Sequence, residues 1–328
     1  MVNSNDEDLE VCDYTIGWIS TTDDEYIAAT WVVDELHEPN TSLRRLNDQR
    51  KFDYQLGRMG NHNVVICIPA TGPEFTVAAV IDDMLLTFTS LRFVLLVGTA
   101  SGVPPVKNNH EGIDEHAADV RLGDVVIGTS IVVPYSRGAV QTPGTELKHQ
   151  PSRTISTGIT EFKRRLAGGL GIGLSLSSLV EQICMTDDHF KCPHPQSDCL
   201  YQTEYAHIPR CCECLVPSPK QVLVTISRPQ RTQDREFQVH YGAVGFVDQR
   251  IMDAGIRNEL SLENNVLCFQ TGTTDVTTKI DCLPIRGLCD YADSHQYRGW
   301  SGYAALTAAV YAKEFLGSVT EYMVSGMR

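Results

Sequence analysis

The chain has 328 residues, 42% hydrophobic and 21% charged, which is enough to bury a sizeable core. Its 27 basic and 41 acidic residues give a formal net charge of −14, so its surface repels nucleic-acid phosphates and anionic lipid. No apolar run approaches the ~20 residues of a membrane helix, and the amino terminus lacks the apolar core of a secretion signal. With an odd cysteine count of 11, these features predict a cytoplasmic protein with reduced thiols that binds neither nucleic acid nor membrane.

Short apolar runs typical of β-strands alternate along the chain with stretches of helical spacing. The predicted strands cover residues 14–19, 64–68, 93–97, 125–133, 221–226, 266–269 and 283–288. The predicted helices cover residues 27–36, 75–86, 170–183, 251–260 and 303–310. Continuous apolar strands separated by helices predict an α/β fold with a largely parallel sheet that is covered on both faces.

Three segments interrupt this alternation. Residues 104–119 are polar and predict a loop, and residues 133–153, with three prolines, predict a long irregular connection. Residues 186–235 are rich in cysteine and proline and predict an insertion. We therefore expect an acidic tail over residues 1–12, followed by a single domain over residues 13–328 with this insertion.

The insertion contains several residue types that can bind zinc. They are Cys192, His194, Cys199, His207, Cys211, Cys212 and Cys214. Cys211 and Cys214 form a C-x-x-C pair, but six residues separate Cys192 from Cys199, so the second pair of a zinc site is missing. We expect reduced thiols and no bound metal here, with structural zinc as the alternative.

Small residues follow the predicted strand at 93–97. Gly98, Thr99, Ser101 and Gly102 would let a ligand approach the backbone at the edge where ligands gather in α/β sheets. A tight exit from the strand explains the same residues equally well.

Acidic residues stand next to two predicted strands. Asp290 and Asp293 follow the buried strand at 283–288, where a carboxyl group facing a cleft can transfer protons; helix capping or pairing with Arg286 is the structural alternative. Asp23 and Asp24 suit the positive end of the following helix, whereas the role of Glu25 stays open.

Taken together, these segments resemble the nucleoside phosphorylase/nucleosidase superfamily, in particular its divergent fungal branch. The most specific stretches are R-L-G-D-V-V at residues 121–126 and I-R-G-L-C-D-Y-A-D-S-H at residues 285–295. The resemblance implies a central mixed, twisted sheet flanked by helices, a small-molecule pocket at the strand ends, a homo-oligomer and no cofactor. It also implies that Asp290 helps protonate a leaving purine, that Glu25 activates water, and that residues 98–102 line the base and anion end of the pocket.

The chain departs from the family where the sugar is bound. After the strand at 266–269 the family carries Glu-Met-Glu-Ala-Ala, whose second Glu binds the ribose hydroxyls, but this chain has Gln-Thr-Gly-Thr-Thr at residues 270–274. Gly272 therefore replaces a carboxylate whose hydrogen bonds are worth about 1.5–3 kcal/mol. Phe246 stands where a small hydroxyl is expected and predicts a more apolar wall. The remaining expected substrate contacts are Phe269, Gln270, Thr271, Thr273, Arg286 and Asp293.

Three hypotheses follow from these departures. In the first, which we favour at this point, the pocket has been repurposed for a non-nucleoside, largely apolar small molecule. The protein would then be an enzyme of fungal specialised metabolism that catalyses a cyclisation, isomerisation or pericyclic reaction by shaping its substrate. In the second, the protein is a purine-nucleoside N-ribosyl hydrolase that uses Asp290 and Glu25. In the third, it is a catalytically silent relative that binds a small molecule.

Overall fold

The computed structural model describes residues 9–38, 51–72, 74–105, 118–134, 145–168, 172–207, 224–229, 237–272, 279–295 and 298–327. The strands in this part of the chain are β1 (Ile16–Ile19), β2 (Glu35–His37), β3 (Tyr54–Met59), β4 (His62–Cys67), β5 (Phe93–Gly102), β6 (Val125–Pro134), β7 (Thr145–His149), β8 (Val239–Val247), β9 (Val266–Thr271) and β10 (Asp281–Asp290). The helices are α1 (Asp23–Val32), α2 (Val77–Thr87), α3 (Arg153–Ala167), α4 (Ile172–Thr186), α5 (Ala254–Asn264), α6 (Ser301–Ser318) and α7 (Glu321–Ser325).

The described strands form one mixed sheet of 10 strands in the order β10-β6-β8-β9-β5-β1-β4-β3-β2, with β7 on β6. Because β10 also pairs with β5, strands β5, β10, β6, β8 and β9 close into a ring, and β1, β4, β3 and β2 extend from β5 as an open wing. Strand β5 runs parallel to β1 and β10 but antiparallel to β9. The α/β class and the mixed sheet are confirmed, whereas the largely parallel sheet that the apolar pattern predicted is wrong.

Side chains alternate between two apolar layers, as the period of a strand requires. In β4, Val64 and Ile66 pack into the layer beneath α1 and α6, while Val65 and Cys67 pack into the layer beneath α2. Full burial of a valine or isoleucine stabilises the fold by about 1.5–3 kcal/mol. Both faces of the sheet are therefore covered, so a ligand can reach the sheet only at its edges.

Helix α6 is buried along most of its length and contacts β10 and β5. A Cβ atom on Gly287 would lie 1.8 Å from the carbonyl oxygen of Ala304, so only glycine allows this helix to approach β10 so closely. This contact fixes β10 three residues before Asp290, at the end of the strand.

Several elements differ from the sequence-based prediction. Residues 98–102 continue strand β5 rather than forming a loop, because β10 and β9 both pair with them. The irregular connection predicted over residues 133–153 instead contains β7, and α3 begins at its last residue. The predicted strand at 221–226 is wrong for its described part, where Thr225 forms only an isolated bridge with Tyr201.

The predicted insertion is tied to the end of β10 by a charged cluster. Arg228 donates hydrogen bonds to Asp198 at 2.9 Å and to the Tyr291 hydroxyl at 2.7 Å, and Tyr291 also donates to Asp198. The insertion therefore braces the residue that follows Asp290. Among the described residues, no helix is long and apolar enough to cross a membrane.

Candidate active site

A cavity of about 630 Å³ opens where the amino terminus of α1 meets the carboxyl ends of β5, β9 and β10. Its volume lies within the range of small-molecule sites, and its position is where ligands bind in α/β sheets. Its walls are formed by Thr21, Thr22, Asp24, Glu25, Thr99, Ala100, Ser101, His189, Arg250, Phe269, Gln270, Thr271, Cys289, Asp290, Arg298 and Ser301.

Glu25 is held rigidly at the start of α1. Glu25 is residue N3 of the helix and forms a capping box with the N-cap residue Thr22. Its side chain is almost fully buried. Its Oε1 accepts hydrogen bonds from the backbone N–H and hydroxyl of Thr99 at 2.7 and 3.0 Å. Its Oε2 accepts from the backbone N–H and hydroxyl of Thr21 at 2.7 and 2.9 Å, and from the Thr22 N–H at 3.3 Å. Glu25, whose role the sequence left open, therefore both caps α1 and lies in the cavity wall.

Two further expected site residues lie behind Glu25 rather than in the wall. A Cβ atom at Gly98 would fall within 2.3–2.6 Å of the Glu25 carboxyl group, so this position leaves no room for a side chain. Arg286 is fully buried, and burial lowers the pKa of its guanidinium to about 10, against the opposing charge of Glu25. Arg286 stays protonated at neutral pH and balances the charge of Glu25.

Asp290 ends β10 and is 5% exposed. Its Oδ1 accepts the backbone N–H of Ala292 at 2.8 Å, and its Oδ2 accepts Nη2 of Arg250 at 2.5 Å. Arg250 follows β8 and is 38% exposed at its side chain. Any ligand atom that contacts this oxygen of Asp290 must therefore displace or share the guanidinium.

Gln270 has an unusual environment in the wall. It is 4% exposed, yet neither Nε2 nor Oε1 has a hydrogen-bond partner among the described residues. A buried polar group left without a partner costs about 1–3 kcal/mol. The amide thus keeps an unused hydrogen-bond donor and an unused acceptor within the wall.

The structure brings together seven of the residues expected at the site. They are Glu25, Thr99, Ser101, Phe269, Gln270, Thr271 and Asp290. Gly102 packs against Leu288, and Asp293 accepts the backbone N–H of His295 at 2.7 Å, so neither lines the cavity. Thr273 lies outside the described residues.

The expected apolar wall is not formed by Phe246. This residue is fully buried in the core layer beneath α2, where its neighbour on β9 is Gln270. Its ring packs among the apolar side chains of that layer and does not reach the cavity. Most of the side chains lining the cavity are polar, with Phe269 and Ala100 as the apolar exceptions.

Several residues of the wall were not predicted from the sequence. Arg250, His189, Arg298 and Ser301 come from separate loops and helix starts, and Asp24, expected only near the helix terminus, also contacts His189 at 3.0 Å. The one sequence signal was that Arg250 follows a strand, but β8 itself was not predicted. His189 belongs to the predicted insertion, which therefore reaches the cavity.

Within the described parts of the chain, no group of three or more His, Cys, Asp or Glu side chains is arranged to hold a metal ion. Cys192, Cys199 and the other cysteines described there are thiols. Cys211, Cys212 and Cys214 lie outside the described residues.

Comparison with known proteins gives one sequence relative and many structural ones. No protein-family model matches the chain. A nucleotide-binding leucine-rich repeat (NLR)-like protein from Hyaloscypha variabilis is 29% identical over 318 residues, which cover 93% of this chain. The matched region is 29% of that relative's length, so this chain spans less than a third of it.

The structural relatives are nucleosidases. S-adenosylhomocysteine nucleosidase from Streptococcus pyogenes, solved with 5-methylthiotubericidin, superposes with a TM-score of 0.53 at 15% identity, covering 94% of this chain and 98% of that one. Futalosine hydrolase from Helicobacter pylori superposes with a TM-score of 0.51 at 13% identity, covering 93% and 97%. At these identities the likeness concerns the fold, and the chain has the nucleoside phosphorylase/nucleosidase fold.

Proposed function

We propose that the protein hydrolyses the N-glycosidic bond of a purine nucleoside in this cavity. The observation that carries the proposal is that Glu25 and Asp290, which come from opposite ends of the sequence, both line one cavity. Hydrolysis of this bond needs an acid beside the departing base and a bound water beside the anomeric carbon, and two carboxyl groups in one pocket supply both. The structural relatives named for nucleosidase activity support the same reaction class.

Asp290 is the group that delivers a proton to the base. Once the entering base has displaced Arg250, Asp290 takes up a proton from solvent. As the bond between the anomeric carbon and the ring nitrogen breaks, the base gains electron density, and this proton passes from Asp290 to the base. Since Arg250 occupies Oδ2 of Asp290, the guanidinium must move as the base enters. Its partly exposed side chain leaves room for that movement.

Glu25 is the carboxylate that holds the attacking water, and two threonine hydroxyl groups give way to that water. Three of its hydrogen bonds come from backbone N–H groups and fix the carboxylate in place. The other two come from the hydroxyls of Thr21 and Thr99, which can rotate away so that a water donates to Glu25 instead. The water's oxygen bonds to the anomeric carbon, and its proton passes to Glu25.

The test is release of free base from adenosine, inosine, guanosine and 5′-methylthioadenosine, measured by chromatography with and without phosphate. We expect release that does not depend on phosphate. Removing the acid or the water-holding carboxylate, by Asp290→Asn or Glu25→Gln, should lower kcat/KM about 10²-fold or more. The matched surface variants Asp82→Asn and Glu161→Gln, whose carboxylates form exposed ion pairs, should leave it unchanged. Equal activity in the two sets of variants would refute the assigned roles.

The glycine at position 272 favours a second candidate. A glycine at this position supplies no carboxylate for a sugar, which suits a non-nucleoside small molecule converted by cyclisation, isomerisation or a pericyclic step. The cavity exposes polar and apolar surface in nearly equal amounts, so its lining does not decide between the two candidates. Absence of base release from all four nucleosides would place this candidate first.

A further inference from the structure

The amide of Gln270 lies between the two ends of the proposed reaction. In the antiparallel pairing of β5 with β9, Ser101 faces Phe269 and Gly102 faces Cys268, so the register continues with Gln270 at the level of Ala100. Thr99, on one side of Ala100, donates a hydrogen bond to Glu25. Ser101, on the other side, pairs with Asp290 of β10. Gln270 is therefore placed between the water end and the acid end of the cavity.

The amide lies close to Gly272. A Cβ atom at Gly272 would have a single neighbour within 4 Å among the described residues, which is Nε2 of Gln270 at 3.9 Å. Both polar atoms of the amide are buried, and neither has a partner among the described residues. A side chain that is almost fully buried yet unpaired on both atoms points to a ligand that completes its hydrogen bonds.

We infer that Gln270 binds the hydroxyl groups of the sugar, an inference that rests on the proposed function. In a glycosidic hydrolysis the sugar lies between the attacking water and the departing base, which is the level at which Gln270 stands. A carboxamide offers one acceptor and two donors, and a pair of adjacent hydroxyls can donate to Oε1 and accept from Nε2 at once. The site then uses a neutral amide to select ribosyl over deoxyribosyl ligands.

The test measures binding without turnover. Formycin A is a C-nucleoside whose carbon–carbon glycosidic bond cannot be hydrolysed, and its 2′-deoxy and 3′-deoxy forms each lack one hydroxyl. By calorimetry, the wild-type protein should bind formycin A about 2- to 13-fold more tightly than either deoxy form, the range expected for one neutral hydrogen bond. Gln270→Met, which keeps the length and removes the polar atoms, should abolish this preference. Gln182→Met on the exposed face of α4 is the matched control and should retain it.

A stability measurement separates ligand binding from a structural role. Because the amide has no partner in the free protein, Gln270→Met should leave Tm unchanged or raise it. A lowered Tm, or a ribosyl preference that survives the substitution, would overturn the inference.

The same experiments keep this inference distinct from the proposed reaction. A ribosyl preference in binding without any base release refutes only the hydrolysis. Base release without a preference that depends on Gln270 refutes only the role of Gln270. If the wild-type protein neither binds formycin A nor releases base from any of the four nucleosides, both are refuted.

Discussion

Arg250 and Asp290 form a charge pair at the centre of the site. The carboxylate is almost fully buried, whereas the guanidinium reaches toward solvent, so the two groups have unequal access to water. Among the described residues, removing the cation leaves a buried charge that only the Ala292 N–H and the weak Cys289 donor still contact. Replacing the carboxylate by an amide removes the charge and keeps an acceptor for that N–H.

We therefore predict strong coupling in a double-mutant cycle. Arg250→Met should lower the free energy of unfolding by about 1–3 kcal/mol in the wild-type background and by much less in an Asp290→Asn background. Urea unfolding measures both differences. The exposed pair of Arg58 and Glu35 is the matched control and should couple by less than about 1 kcal/mol. Additive effects of Arg250→Met and Asp290→Asn would contradict the pairing.

At the scale of elements, one side chain joins helix α3 to strand β10. Asp281, the first residue of β10, accepts the backbone N–H of Ser152 at 2.9 Å, and Ser152 caps α3. It also accepts Nε2 of His149, the last residue of β7, at 3.0 Å. Burial raises the pKa of Asp281, but the hydrogen bonds from His149 and Ser152 outweigh it, so its pKa lies below the usual value.

Asp281→Asn should accordingly destabilise the protein by about 1–3 kcal/mol at pH 7. Because the folded-state pKa is lowered, the ionised form contributes stability above the unfolded-state value of about 3.9, and this contribution is lost as pH falls toward the folded-state value. The difference between the wild type and the variant should shrink as thermal unfolding is followed from pH 7 to pH 3. Asp188→Asn, at an exposed ion pair, should have little effect at either pH. A constant difference across this range would contradict the lowered pKa.

At the scale of the whole molecule, the core layers keep thiols away from solvent. Cys67 is in the layer beneath α2 and Cys268 is in β9, and burial raises the pKa of each thiol to about 12. Cys12, by contrast, is exposed near the amino terminus. Because the thiolate is the reactive form, the fold protects the two buried thiols in two ways: it keeps reagents away from them, and it keeps them protonated.

Iodoacetamide at pH 8 should therefore modify Cys12 in the native protein and leave Cys67 and Cys268 unmodified over the same time. Peptide mass spectrometry measures each site, and labelling in guanidinium chloride supplies the fully reactive reference. Labelling of Cys268 at the rate of Cys12 would mean that β9, and with it the wall that carries Gln270, opens without global unfolding.

The sequence predicted the parts of the site that lie next to its strongest local patterns. Asp290 follows a continuous apolar strand and Glu25 begins a capped helix, and both line the cavity. Arg250 could not be predicted this way, because β8 has partly exposed positions and lacks the continuous apolar run of the other inner strands. Phe246 shows the opposite error: it stands where the family resemblance expects a small hydroxyl, which suggested an apolar pocket wall, but the residue is fully buried in the core.

By itself the sequence determined the acidic charge, the α/β class and most of the inner strands, because composition and hydrophobic period depend on neighbouring residues alone. The resemblance to the nucleoside phosphorylase/nucleosidase superfamily singled out the two carboxylates. The tertiary structure decided which residues share the cavity. The closure of β10 onto β5 brings Asp290 to Ser101, the antiparallel register of β9 sets the level of Gln270, and the turn after β8 places Arg250 against Asp290. These contacts join residues far apart in the chain, so their geometry depends on the register of the sheet and not on any local pattern.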